Sequence, residues 1–95
     1  GHEAVYNLGL LARQRGRADE AAAHFEAAVG RNPYWPPAFL ALGDLHRDAG
    51  RVPEAIAAYR EGVRLNPSAA RLHNNLGAVL LDDGQTAAAL THCRE

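Results

Sequence analysis

The sequence predicts an all-α protein built as a solenoid of paired helices, and three observations lead there. Ala, Leu, Arg, Glu and Gly dominate while β-branched residues are sparse, which favours helix before any pattern is examined. The chain matches itself at a shift of 34 residues, a period in the range that marks stacked helical repeats. With 95 residues it has room for one compact domain and buries only about 60 to 65% of its unfolded surface, so its core has to be simple.

The recurrence is specific in residue type and order. Leu8-Gly9 returns as Leu42-Gly43 and Leu76-Gly77, Gly16 as Gly50 and Gly84, Ala21 as Ala55 and Ala89, Phe25 as Tyr59 and Cys93, and Asn32-Pro33 as Asn66-Pro67. Each period reads as two helices. In the first, Val5, Leu8 and Ala12 and then Ala21, Phe25 and Ala28 fall at helical spacing, separated by the polar run Arg15-Gly16-Arg17. Helices are expected near 3 to 15, 18 to 31, 37 to 49, 53 to 65, 69 to 83 and 86 to 95. Gly16, Gly50 and Gly84 stand at helix ends, where a residue tolerant of positive φ is favoured. Pro53 lies just inside a helix start, where its missing N–H costs nothing, and the Asn-Pro pairs close each unit. Gly9, Gly43 and Gly77 with Ala21, Ala55 and Ala89 would let paired helices approach closely, with Phe25 and Tyr59 filling the adjoining space.

Charge and composition exclude several classes. Net charge is −1 and all ten basic residues are arginines without any basic run, which disfavours a nucleic-acid partner. No stretch approaches the 18 or so apolar residues of a membrane span, and no signal peptide opens the chain. The single cysteine, Cys93, excludes an internal disulfide and leaves the compartment open, with the cytoplasm as the default expectation. The chain lacks methionine, opens on Gly1-His2 and stops at Glu95 within the third period, and is expected to be a piece of a larger protein.

A period of 34 with Leu-Gly in the first helix, a small Ala and then an aromatic in the second, and a terminal Pro resembles the tetratricopeptide repeat family. The resemblance divides the chain into repeat one at 2 to 35, repeat two at 36 to 69 and a truncated third repeat at 70 to 95. It implies a right-handed superhelix of antiparallel helix pairs, a tetratricopeptide-type α-solenoid of about two and a half repeats. The chain departs from the family pattern at several places. The large aromatic early in the first helix is Val5, Phe39 and His73 in turn, the later Tyr is Ala12, His46 and Leu80, and the late Ala is Gly62 in repeat two.

The resemblance also implies a concave groove lined by the first helix of each repeat, with protein or peptide partners lying in it. Its positions here are Glu3, Tyr6, Asn7, Leu10, Arg13 and Gln14; then Pro37, Leu40, Ala41, Asp44, Arg47 and Asp48; then Arg71, Asn74, Asn75, Ala78, Leu81 and Asp82. Tyr6, Leu10, Leu40 and Leu81 offer apolar contact, while Arg13, Arg47 and Arg71 can fork onto carboxylates and asparagine amides can pair with an extended backbone. An extended peptide is therefore the expected ligand. The peptide-carboxylate clamp known in the family needs lysines and asparagines where Tyr6, Leu10 and Ala41 stand, and only Arg71 can serve, so binding of a chaperone tail is not the reading. Asn7 and Asn75 resemble the asparagine ladder of arrays fused to sugar-transferring enzymes, but Ala41 interrupts it. Trp35, between Tyr34 and Pro36-Pro37, is expected to pack between repeats rather than serve as an exposed anchor.

Catalytic and metal motifs carry little. His46-Arg47-Asp48 matches a short kinase string without the downstream asparagine, glycine-rich loop or metal-binding motif. The five histidines contain no i, i+4 pair, and His92 and Cys93 project about 100° apart on a helix. Ser68 is expected to cap the next helix, and Pro67 voids a glycosylation site at Asn66. No cofactor, metal or catalytic residue is expected. The leading expectation is a scaffold for protein-protein interaction that binds an extended peptide or protein segment. The alternative is a substrate-presenting or assembly domain of a larger enzyme such as a glycosyltransferase or sulfotransferase. Self-association is a further expectation, through an apolar C-terminal end at Leu76, Leu80 and Leu90.

Overall fold

The computed structural model describes residues 1–83 in full and, beyond them, the span of the last helix. The chain is an all-α solenoid of about two and a half helix-pair repeats. Its helices are α1 (His2–Gln14), α2 (Ala18–Arg31), α3 (Pro36–Asp48), α4 (Val52–Leu65) and α5 (Ala70–Arg94). The spans of α1 and α2 return one period later as those of α3 and α4, and α5 starts one period after α3. The sequence reading expects a break at Gly84 and a separate helix near 86 to 95, whereas α5 is one span to Arg94. The packing expected of Gly84, Ala89, Leu90, His92 and Cys93 lies outside the described residues.

Paired helices run antiparallel because the turn between them is tight and stereotyped. After α1, Gly16 takes φ +73°, Arg17 N–H donates to Ala12 O at 2.9 Å and Gly16 N–H to Arg13 O at 3.0 Å. After α3, Gly50 takes φ +77°, with Arg51 N–H on His46 O at 2.7 Å and Gly50 N–H on Arg47 O at 3.0 Å. These are the paired bonds of a Schellman C-cap, which satisfy helix-end carbonyls only when a residue reaches the left-handed region. At the opposite ends of α1 and α2, Asn32 Nδ2 lies 3.4 Å from His2 Nε2.

Pairs are joined by the Asn-Pro turns. Asn32 Oδ1 accepts Tyr34 N–H at 3.2 Å, and Asn66 Nδ2 donates to Pro33 O at 3.0 Å and to Gly62 O at 3.2 Å, so the second turn is tied to the first. Pro36 and Pro37 open α3 and Pro53 stands in the first turn of α4, where the amides have no intrahelical acceptor. Ser68 does not stand at the start of α5. Ala69 does, its carbonyl accepting His73 N–H at 3.2 Å, because one further residue of turn precedes the helix.

Small residues set the spacing within each pair. A Cβ on Gly9 would lie 2.5 Å from Phe25 Cε1, and one on Gly43 would lie 2.5 Å from Tyr59 Cδ1, so each ring seats in a notch that no other residue can leave. Phe25 and Tyr59 are both fully buried. The same logic explains the missing Ala at Gly62. A Cβ there would be 2.8 Å from Phe39 Cβ and 3.0 Å from Leu72 Cδ1. Phe39 and Gly62 occupy the register that carries Val5 and Ala28 in the first pair, so the larger residue on one helix is matched by a smaller one on its partner.

The core continues from pair to pair. One cluster joins Ala12, Ala21, Ala22 and Phe25 to Ala41, Leu42, Leu45 and Ala58, and a second joins Phe39, Ala55 and Tyr59 to Leu72 and Val79 of α5. Full burial of each large side chain is worth about 1.5 to 3 kcal/mol. Stacking also splits equivalent residues: Leu42 and Leu45 are 7% and 5% exposed, while Leu8 and Leu11, one period earlier, are 50% and 43% exposed. Two changes of glycine to alanine test the notch. Gly43→Ala should destabilise by a net ~2 kcal/mol, since overlap with the buried ring exceeds the ~1 kcal/mol gained in helix propensity. Gly30→Ala, exposed in α2 with no atom within 4 Å of its Cβ, should stabilise by up to ~1 kcal/mol. Urea unfolding of the two variants reads these opposite signs.

Candidate functional site

The first helices of the pairs, α1, α3 and α5, share one face: Arg13 of α1 reaches Asp48 of α3 and Arg47 of α3 reaches Asp82 of α5, while α2 packs against α3 and α4 against α5. That face holds a cleft of roughly 360 Å³, walled by Tyr6, Leu10 and Arg13 of α1, by Pro36, Pro37, Leu40, Ala41 and Asp44 of α3, and by Ala69, Ala70, Arg71 and Leu72 around the start of α5. Its lining is mostly apolar with three charged side chains, Arg13, Asp44 and Arg71, the pattern of a site that buries side chains and orients them by a few polar groups.

Aromatic packing builds the α1 wall. Trp35, at the junction before α3, meets Tyr6 edge to face with centroids 4.8 Å apart and His2 at 4.9 Å. Tyr6 also meets Phe25 at 5.7 Å. Trp35 thus packs between the pairs and holds Tyr6 in place, while Tyr34 is 69% exposed. Contacts of this kind add about 0.5 to 1.5 kcal/mol beyond area burial.

Two of the three arginines expected to meet ligand carboxylates are engaged within the chain. Arg13 Nη2 donates to Asp48 Oδ2 at 3.0 Å and Arg47 Nη2 to Asp82 Oδ2 at 2.9 Å. The bonds are related by one period, so each arginine reaches the aspartate on the next first helix. The hydrogen bond to Asp82 raises the pKa of Arg47 further, with the nearby Asp82 charge adding to it. With side chains about a third to two thirds exposed, each pair contributes ~0 to 1 kcal/mol. Arg71 is exposed and makes no ion pair among the described residues.

Asp44 is a junction of three helices. Its Oδ1 accepts the Tyr59 hydroxyl from α4 and Asn75 Nδ2 from α5, the latter at 2.9 Å. Burial first, and then the hydrogen bond to the Asp44 carboxylate, push the Tyr59 phenol well above the usual tyrosine range. Tyr59 therefore fills the Gly43 notch with its ring and anchors a groove carboxylate with its hydroxyl.

Of the groove residues expected from sequence, Tyr6, Leu10, Arg13, Leu40, Asp44 and Arg71 come together in the cleft, as do Pro37 and Ala41. Asn7 and Asn74 are exposed outside it, Asn75 turns to Asp44, and Arg47 turns to Asp82. Sequence reasoning missed Pro36, Ala69, Ala70 and Leu72; the small pair Ala69-Ala70 one period after Trp35-Pro36 was the signal for an open wall there. Among the described residues no three His, Cys, Asp or Glu side chains converge as a metal site, and no helix is long and apolar enough to cross a membrane.

A family model described as tetratricopeptide repeat matches residues 1–36, and one described as TPR repeat matches residues 43–84. A search of curated proteins finds no match. A pH measurement checks the Tyr59 junction. A phenol whose pKa is raised on folding contributes stability that is whole below its unfolded pKa of about 10 and is lost as pH rises beyond it. Thermal stability should therefore fall above about pH 10, and Tyr59→Phe should flatten that fall while costing ~1 kcal/mol at neutral pH through the lost hydrogen bond.

Proposed function

This chain belongs to the tetratricopeptide repeat family, and on that premise we propose that it is a scaffold whose concave groove holds an extended peptide or protein segment. Repeats of this family generally mediate protein-protein interaction and are typically non-catalytic. The observation that carries the groove reading is the cleft itself. It lies on the first helices, has Tyr6, Leu10, Leu40 and Ala41 as apolar walls, and includes Asp44 and Arg71 in its lining. Such a cleft suits side chains of a partner spaced along an extended backbone, with burial supplying affinity and the charged groups supplying register.

Tyr6 is the contact expected to matter most, since a tyrosine already fixed by Trp35 and Phe25 loses little conformational entropy on binding. Peptides selected from a random-peptide library and titrated into isotopically labelled protein test the location. Amide shifts should cluster at Tyr6, Leu10, Leu40, Ala41 and Arg71, with micromolar affinity. Shifts confined to α2 and α4, or a selection that yields no binder, would count against the groove.

A further inference from the structure

We infer that the groove selects a segment bearing a basic side chain, which seats on Asp44, and an acidic group about three residues away, which meets Arg71, with apolar residues between them. This rests on the groove reading above and names the chemistry of its ligand.

Charge accounting on the first-helix face leads to this class. Arg13 and Arg47 are hydrogen-bonded to Asp48 and Asp82, so those four groups present no uncompensated charge. Of the charged residues that line the cleft, Arg13, Asp44 and Arg71, only Asp44 and Arg71 remain outside these ion pairs. Both hydrogen bonds to Asp44 fall on Oδ1, and Oδ2 accepts none from the described residues. The carboxylate is half-buried and pinned by donors on two other helices, so it pays little entropy to bind a cation and acts in a medium less screened than open water. A uniformly acidic segment would meet one cation and be repelled by Asp44; a uniformly basic one would be repelled by Arg71.

Spacing follows from helix geometry. Arg71 stands one period after Pro37, and Asp44 is seven residues along α3 from Pro37; all three line the cleft. Seven residues of α-helix rise about 10 Å, the reach of about three residues of extended chain. Leu40 and Ala41 fall between Pro37 and Asp44 along α3 and share the cleft with Tyr6 and Leu10. The competing account gives Asp44 only the task of holding Tyr59 and Asn75. Asp44→Asn separates the two, because an amide oxygen still accepts both hydrogen bonds while the charge is gone.

The random-peptide selection is run in parallel on the protein and on its Asp44→Asn and Arg71→Gln variants, and recovered peptides are measured by fluorescence anisotropy. On the unaltered protein, Arg or Lys should be enriched at one position and Asp or Glu about three residues away. Replacing the basic residue by Gln should weaken binding about tenfold to the unaltered protein and hardly at all to Asp44→Asn. Replacing the acidic residue should behave likewise with Arg71→Gln, which decides the matter if Asp44→Asn fails to fold. Binders that shift groove amides but show no charge preference, or show the same preference on both variants, overturn the charge assignment and leave the groove standing. A library that yields no groove binder overturns both.

Discussion

The close approach of paired helices at Gly9 and Gly43 is the constraint on which the rest of the structure depends. Without a side chain at those positions, Phe25 and Tyr59 occupy the space a Cβ would need, and the pair becomes thin enough for the next pair to stack on it with shared core clusters. Tyr59 then carries the constraint through to the functional face. Its ring occupies the Gly43 notch and its hydroxyl meets Asp44, so the distance between α3 and α4 also positions a carboxylate in the cleft. A packing decision and an electrostatic one are made by the same residue.

Much of the fold was legible because it is encoded locally and then repeated. Gly16 and Gly50 mark C-caps that require positive φ, and the period brings α3 and α4 back at the register of α1 and α2. Trp35 was legible too, since a large aromatic between an Asn-Pro turn and two prolines has a helix pair on either side to bury it. Volume matching across a pair was visible only in outline. Gly62 looks like a defect in the pattern until Phe39 and Leu72 are seen to fill the space an alanine methyl would need.

The site was harder to read, because function here depends on which faces oppose one another. The groove positions carried over by resemblance cover a wider arc of each helix than the cleft does, so Asn7 and Asn74 fall outside it and Asn75 turns to the Asp44 junction. Arg13 and Arg47 carry the same charge in sequence as Arg71, yet only stacking tells that an aspartate of the next first helix meets each of them. The signal was present as two arginines and two aspartates each one period apart, but its meaning required knowing that the partner lies one period plus one residue away.

That ladder also has a direction. The middle unit donates Arg47 forward and receives Arg13 on Asp48, so it carries one charge of each sign at its two seams. The first unit has Gln14 where an aspartate would receive, and the third has Leu81 where an arginine would donate. A further copy of the middle unit, inserted in frame between its neighbours, would find a partner for both of its seam charges and leave the net charge of the seams at zero. Duplication of this stretch is therefore electrostatically self-compatible, and an array can lengthen by whole units without having to evolve a new interface each time.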